Sequence, residues 1–326
     1  MLKLSRLLII YFMFITNNKK INGKKKKNYE RINIKIVILF VNCLKMDIAN
    51  EEIKEFINIV VSLSTYDFSE YSEKSLRRRL EKIVNDNNCS LTEIIKRIKK
   101  NSDFLEKIVR DITVNTTEIF RDPKVWREIE KEVIPKLKKL EKINIWHAGC
   151  SSGQELYSML MFLNEFDLLE KTSSFGTDIN SEILEEAKKG QFKYRFNAEY
   201  LPNFDQVLNY NPEKEKVPYS KYMFISQQHD TIKINPQLLS KVEFYKHDLV
   251  CDKNIFGIKF DLIMCRNVLI YFNNNLQNKI FDLFWSCLTD EGTLIIGFHE
   301  SIMGPAAIKY IKKGQCYFKK PLNNNA

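Results

Sequence analysis

The chain has 326 residues, 44% of them hydrophobic, and a formal charge of +10. That length suits about two domains with a sizeable core, and the hydrophobic share is ordinary for a globular protein. The charge is uneven, because residues 1–45 hold 11 Lys and Arg against one acidic residue, Glu30, which leaves 40 basic and 40 acidic residues beyond them. A neutral body behind a basic leader lacks the basic face of a nucleic-acid binder, so no nucleic-acid partner is expected.

The leader, residues 1–45, is expected to lie outside the fold. Its apolar run at 7–15 is too short to span a bilayer, and Asn17-Asn18-Lys19-Lys20 follows where a signal peptide would have small residues. Two readings stay open. One is an upstream extension, with the true start at Met46. The other is a surface anchor whose polybasic stretch holds anionic lipid.

Residues 50–110 carry the helical period. Ile53, Phe56, Ile57, Val60 and Val61 recur at helix spacing, as do Leu76, Leu80 and Ile83, then Ile94, Ile95 and Ile98. Ser90 with Glu93 three residues on predicts a capping box, and Asn85-Asp86-Asn87-Asn88 a turn before it. These features predict a helical domain over 46–122. Pro123 then suits the first position of another helix, where no amide partner is lost.

From Lys142 strands and helices alternate, which argues for an α/β domain with a parallel sheet over 123–320. Strands are expected at 143–146, 174–178, 242–245, 259–264 and 293–297, with helices at 154–166, 182–189 and 276–288. Gly190 should end the second of these helices. Residues 308–311 and 316–318 read as a closing hairpin, before a disordered tail at 321–326. Residues 192–240 form an insert rich in Tyr, Asn and Pro, with weak periodicity.

Three runs carry the chemistry. The apolar strand Phe260-Asp261-Leu262-Ile263-Met264 runs into Cys265-Arg266-Asn267-Val268-Leu269-Ile270-Tyr271-Phe272, delivering polar groups at a carboxyl edge. In open α/β sheets ligands bind at that edge. Gly149 and Gly153 form a turn after the first strand that lets backbone approach a ligand, but without G-x-G-x-x-G it makes a poor pyrophosphate site. Asp178 ends the second strand, where a carboxylate can accept from both ribose hydroxyls; Asn180 and Ser181 are available to cap the next helix in its place. The seven scattered cysteines include no C-x-x-C pair, and the four histidines show no H-x-x-x-H spacing. A reduced, cytoplasmic protein with no metal is expected.

Together, N-T-T-E-I-F-R at 115–121, A-G-C-S-S-G-Q-E-L-Y-S at 148–158 and C-R-N-V-L-I-Y-F at 265–272 resemble the chemotaxis receptor glutamate methyltransferases. The resemblance covers roughly residues 51–320. It implies a Rossmann-like class I methyltransferase domain with an N-terminal helical bundle, a small β-subdomain in the insert, and S-adenosylmethionine as cofactor. It further implies that Glu155 holds the cofactor's α-amino group, a pairing a carboxylate suits, and that Asp248 and Leu249 lie beside the adenine. The family has N-L there, so Asp248 keeps an acceptor and loses a donor. Asn115, Thr117 and Arg121 are implied to contact the cofactor or the reacting carboxylate. Arg266 and Asn267 are expected to wall the site and bind cofactor through backbone and amide groups.

The acceptor needs alignment more than deprotonation, since a glutamate carboxyl has a pKa of about 4.3. Arg121 can hold one carboxylate oxygen and the Tyr271 hydroxyl the other, so these two are the expected catalytic residues. Arg77, Arg78 and Arg79, on an amphipathic helix, are expected to dock an acidic helical region of a chemoreceptor or related sensory protein. Any membrane link would run through that receptor. The rivals are a methyltransferase of the same fold acting on another substrate, and a scaffold that keeps the fold without catalysis. No N-P-P-Y run supports the first, and intact Arg121, Glu155 and Tyr271 oppose the second.

Overall fold

A computed structural model describes residues 48–113, 116–251 and 253–321. The expectations for the leader, for Asn115 and for the tail beyond Pro321 therefore lie outside the described residues. The described residues from Asn50 onward cluster as one compact unit.

Four helices open this unit: α1 (Asn50–Leu63), α2 (Glu73–Asp86), α3 (Leu91–Ile98) and α4 (Ser102–Ile112). Most of the periodic residues form its interior, with Phe56, Val60, Leu80, Ile94 and Ile108 fully buried, while Ile57 is half-buried and Val61 is exposed. The Ser90–Glu93 capping box forms in both directions, and Asn101 caps α4 by accepting from the Phe104 N–H.

The remainder is built on a seven-stranded sheet. Its strands are β1 (Ile143–Ala148), β2 (Thr172–Asp178), β6 (Val242–Lys246), β7 (Phe260–Cys265), β8 (Leu288–Ile296), β9 (Tyr310–Lys313) and β10 (Cys316–Lys319), in the order β6-β2-β1-β7-β8-β10-β9. The first five run parallel, and β10 and β9 are antiparallel. Strand order reverses between β1 and β7, which is the topological switch point of such a sheet.

Parallel strands covered on both faces are apolar along most of their length, as β1 and β7 are apart from Asn144, His147 and Asp261. One face packs Ile143, Ile145, Leu262 and Met264 against α5 (Pro123–Glu132), α6 (Ile134–Leu137) and α7 (Gln154–Asn164). The other packs Trp146, Phe260 and Ile263 against α12 (Asn274–Cys287). Trp146 is its hub, with ring centroids 5.3 Å from Phe284 and 5.5 Å from Phe260. Its indole N–H reaches the Thr177 hydroxyl at 2.9 Å, so the polar end is also satisfied.

The insert holds a three-stranded sheet of β3 (Gln191–Phe192), β5 (Thr231–Ile234) and β4 (Met223–Ser226). It also holds α9 (Tyr194–Asn197), α10 (Leu201–Leu208) and α11 (Pro236–Leu239). Pieces of two to eight residues are too short to show a period, which is why the sequence pattern is weak here. Other boundaries shift slightly. The helix expected to reach residue 166 ends at Asn164, before left-handed Asp167 at φ 59°. The strand expected at 293–297 starts earlier, at Leu288, through an irregular register against Phe260. The hairpin begins at Tyr310 because 304–309 form a 3-10 turn, and Gly314 supplies its positive φ of 58°.

Gly149 has φ +73°, and a Cβ there would lie 2.5 Å from Val268 Cγ2. Gly257 has φ +66° and nothing within 4 Å. Gly149→Ala should therefore cost about 2–4 kcal/mol, backbone strain plus overpacking. Gly257→Ala should cost roughly 1–2 kcal/mol, from backbone strain alone. Urea unfolding measures both, and equal losses would mean that Val268 yields without cost.

Candidate active site

The segment 116–122 is fastened from several sides before its side chains reach the cleft. The Phe120 N–H donates to Ser158 Oγ at 2.9 Å, and that hydroxyl donates to the Gln154 carbonyl at 2.7 Å. The Phe120 ring packs edge-on against Trp126 and Phe204, at 4.9 and 5.7 Å. The Arg121 carbonyl accepts from the Trp126 indole at 3.0 Å and from the Arg266 guanidinium at 3.2 Å. Ile119 is a buried member of the core.

Two adjoining cavities open at the carboxyl ends of β1, β2 and β7. The larger is lined by Gly149, Asp178, Asp248, Leu249, Asn267 and Tyr271 among others. The smaller is lined by Thr117, Arg121, His147 and Glu155 among others. Thr116, Gly149 and Arg266 line both. The described site residues expected from the sequence thus come together along one cleft, with Arg121 and Tyr271 on its two parts.

Arg266, expected to wall the site, lines both cavities, and its fully buried side chain also makes charged contacts of its own. It pairs with Glu155 and, at 2.7 Å, with Asp122. Glu155, whose N–H donates to Thr117 Oγ1 at 3.4 Å, already holds a cation through one oxygen. Burial pushes its carboxyl above the usual range, against the pull of Arg266 and Arg121. Asp178 accepts from the N–H groups of Ser151 at 2.9 Å and Asn180 at 3.0 Å, and burial raises its carboxyl too. Each of its oxygens retains a second lone pair for a ligand. Asn180 caps α8 (Ser181–Lys189), as its position suggested. Asp248 spends one oxygen on the Val250 N–H at 2.8 Å.

Glu300 escaped the sequence reading. It is buried and accepts from the N–H groups of Gly297 at 2.6 Å, Asn267 at 2.9 Å and Ile270 at 3.1 Å. This carboxylate shapes the loop that carries Arg266, Asn267 and Tyr271. Its only sequence signal is an acidic residue just past an apolar strand. Asn267 is held in the left-handed region at φ 61°, as are Ser151 at 52°, Phe120 at 49° and Asp122 at 53°. Such conformations, uncommon outside glycine, cluster where a site over-determines them. The segment between α1 and α2 also reaches the cleft. Tyr71 bridges Phe272 and lines the larger cavity, and the Ser72 N–H donates to the Tyr271 carbonyl at 2.8 Å.

Arg77, Arg78 and Arg79 are not one exposed stripe. Arg78 is exposed; Arg77 pairs with Glu73 at 3.1 Å and contacts Asn50; Arg79 is half-buried.

Buried polar atoms usually have partners. Along this cleft both nitrogens of His147, Ser151 Oγ, Arg266 Nε and Asn267 Oδ1 have none among the described residues. Donors and acceptors left open beside Glu155 and Asp178 fit a ligand with an amino-acid end and a ribose, such as S-adenosylmethionine.

Residues 115–317 match the family model for the CheR methyltransferase, SAM binding domain, and residues 51–113 the CheR methyltransferase, all-alpha domain. Among relatives, Cher3 of Pseudomonas putida is 32% identical, covering 77% of this chain and 89% of that protein. The chemotaxis protein methyltransferase of Listeria monocytogenes is 32% identical over 74% of this chain and 86% of its own. That of Borreliella burgdorferi is 30% identical over 82% and 94%. The chain belongs to the CheR methyltransferase family, and its cofactor is S-adenosylmethionine.

Proposed function

We propose that this chain methylates glutamate side chains of methyl-accepting chemoreceptors, giving glutamate methyl esters, with Arg121 and Tyr271 orienting the acceptor. The observation that carries the reading is the cleft itself, where residues with unpartnered buried polar atoms line both parts, with Arg121 on one and Tyr271 on the other. Glu155 would take the cofactor's ammonium, Asp178 its ribose, and Asp248 and Leu249 its adenine. Thr117 and Gly149 line the approach, and Asn115 would join them. Arg266 acts by holding Glu155 in place, and Asn267 offers an amide oxygen.

S-adenosylmethionine supplies an electrophilic methyl whose departing sulfur leaves as a neutral thioether. The acceptor carboxylate is ionised near neutral pH, so no side chain has to remove its proton. What remains is alignment. Arg121 contacts Glu118 at 3.6 Å, a loose pairing that leaves its guanidinium available. Burial raises the Glu118 carboxyl, which weakens it further as a competitor. Too tight an Arg121 contact would stabilise the nucleophile and slow it, and the Tyr271 hydroxyl shares the load.

The receptor's acidic helical region would dock on α2, with Arg78 the outermost charge and Arg77 and Arg79 flanking it. The six described cysteines are free thiols, which supports a cytoplasmic setting. No described helix is long and apolar enough to cross a membrane, and membrane contact would come through receptors.

Tyr271→Phe should keep S-adenosylhomocysteine affinity and lose about 10²-fold in turnover, the scale of one transition-state contact. Arg121→Ala should lose more, and its backbone anchors to Trp126 and Arg266 should keep the segment folded. Full activity in both variants would place the acceptor elsewhere. Charge reversal at Arg78 should lower kcat/KM on receptor membranes at low salt and converge with wild type at high salt; a salt-independent loss would point to a folding defect.

Acidification gives a separate test. The ammonium prefers ionised Glu155, and burial makes that carboxyl take its proton at a higher pH than a free one. Affinity for S-adenosylhomocysteine should be full above the raised pKa and fall by up to about tenfold per pH unit below it. Glu155→Gln should remove this part of the pH dependence and weaken binding about tenfold at neutral pH. Calorimetry across pH reads both, and an unaltered profile in the variant would remove Glu155 from the ammonium site.

A further inference from the structure

Tyr71 belongs to the link between α1 and α2, outside every motif that marked the cleft, and both its backbone and its ring are held. The residue bridges Phe272, and its N–H donates to the Phe68 carbonyl at 3.1 Å. Its two neighbours are tied to the segment that carries Tyr271. The Ser72 N–H donates to the Tyr271 carbonyl at 2.8 Å, and the Glu70 carbonyl accepts from the Asn273 N–H at 2.9 Å. The ring stands edge-on to Phe68 and to Phe272, with centroids 4.9 and 5.1 Å away. Its hydroxyl, by contrast, has no hydrogen-bond partner among the described residues. A Tyr hydroxyl withdrawn from bulk water usually finds one. The Tyr317 hydroxyl is sealed in the interior without a partner; that of Tyr71 is not sealed, and the residue is half-buried and lines the larger cavity.

The groups around it narrow what meets it. Burial, and after it the Asp248 and Asp178 carboxylates, raises the hydroxyl's pKa above its ordinary value, so the phenol keeps its proton. Tyr71 is thus a donor beside two groups that, when ionised, only accept. A nucleoside offers partners of both kinds: hydroxyl and amino hydrogens for the carboxylates, ring nitrogens and oxygens for a phenol. We propose that Tyr71 is a cofactor-contacting residue supplied by the helical bundle, whose hydroxyl donates to the nucleoside of S-adenosylmethionine. This assignment rests on the placement of the ribose at Asp178 and the adenine at Asp248, and adds a donor from outside the methyltransferase domain. Because the ring is already fixed between Phe68 and Phe272, little ordering is required when the ligand arrives. The contact also sets the cofactor against the link that leads directly into α2.

Calorimetry on the full chain compares two ligands: S-adenosylhomocysteine, and 5′-methylthioadenosine, which lacks the amino-acid end. Tyr71→Phe removes only the hydroxyl and keeps the ring between its aromatic neighbours. It should weaken both ligands by the same factor, about fivefold, the loss of one hydrogen bond. Since the hydroxyl has no protein partner, the ligand-free variant should unfold at the wild-type temperature, while the rise in Tm on adding S-adenosylhomocysteine should shrink. Tyr71→Leu, which also removes the ring, should lose binding and ligand-free stability together. Unchanged affinity for both ligands in Tyr71→Phe overturns the proposal. So does weakening of S-adenosylhomocysteine alone, which would put the hydroxyl at the amino-acid end. A lowered Tm of ligand-free Tyr71→Phe would mark a structural role and overturn it as well. Asp178→Ala separates this inference from the reading beneath it. If that variant binds both ligands as the wild type does, the nucleoside lies elsewhere and both fall. If it binds them weakly while Tyr71→Phe binds them normally, only the assignment of Tyr71 falls.

Discussion

The cleft depends on one buried cation. Arg266 arrives at the end of β7 with its side chain wholly out of water, and it is paired at once with Glu155, Asp122 and the Arg121 carbonyl. Those partners lie on the start of α7 and on the segment before α5, more than 100 residues away in sequence. Burying a guanidinium is costly unless it is paired, and removing one partner of such a pair typically costs about 3–5 kcal/mol. The three chain segments that frame the site are thus tied by an interaction that tolerates little rearrangement. The arrangement sets Glu155 as well as holding it. One oxygen faces Arg266, and burial keeps the carboxyl's proton affinity high in spite of that neighbour.

Glu300 does for the backbone what Arg266 does for the side chains. Three N–H groups converge on one buried carboxylate, two of them from the loop after β7 and one from Gly297. A Cβ on Gly297 would come within 2.6 Å of that carboxylate and 2.9 Å of the Asn267 nitrogen, so close approach is the reason for glycine there. The loop then carries a left-handed Asn267 and turns so that Tyr271 faces the cleft. Neither link could be read from motifs. Both join residues separated by about thirty positions or more, and an isolated Glu after a strand looks like any solvated carboxylate.

What the residue pattern made legible follows the length of each element. Long periodic stretches such as α2 and α4, and doubly buried strands such as β1 and β7, are visible because burial on a regular face repeats along the chain. Caps written in short polar signals, Ser90–Glu93 and Asn180, also form as read. The insert's two- to eight-residue pieces are not legible, nor is the early start of β8 at Leu288, which tertiary pairing with Phe260 decides. For the site, the three motifs and the strand ends at Asp178 and Asp248 named residues that line one cleft. They said nothing of how far Arg266, Asp178 and Asp248 are already occupied by protein partners. Occupancy is a matter of geometry between distant segments, and spacing along one chain cannot encode it.

That occupancy bears on how the helical bundle could matter to the chemistry. The link between α1 and α2 pairs with the segment that carries Tyr271: Ser72 donates to the Tyr271 carbonyl, Asn273 donates to the Glu70 carbonyl at 2.9 Å, and Tyr71 packs edge-on against Phe272 at 5.1 Å. Glu70 also holds Lys279 on α12 at 2.6 Å. At the far edge of the sheet, Lys246 on β6 reaches the Tyr66 hydroxyl at 2.8 Å, and Tyr66 reaches Glu106 on α4 at 2.9 Å. The bundle is therefore hydrogen-bonded to the catalytic domain on both sides of the larger cavity, and Tyr71, Ile112 and Thr113 form part of that cavity's wall. On the proposed reading α2 meets the receptor while the link preceding it grips the Tyr271 loop. Docking and acceptor alignment then belong to one rigid connection only a few residues long, and a receptor bound to α2 is registered to the hydroxyl that must meet its carboxylate.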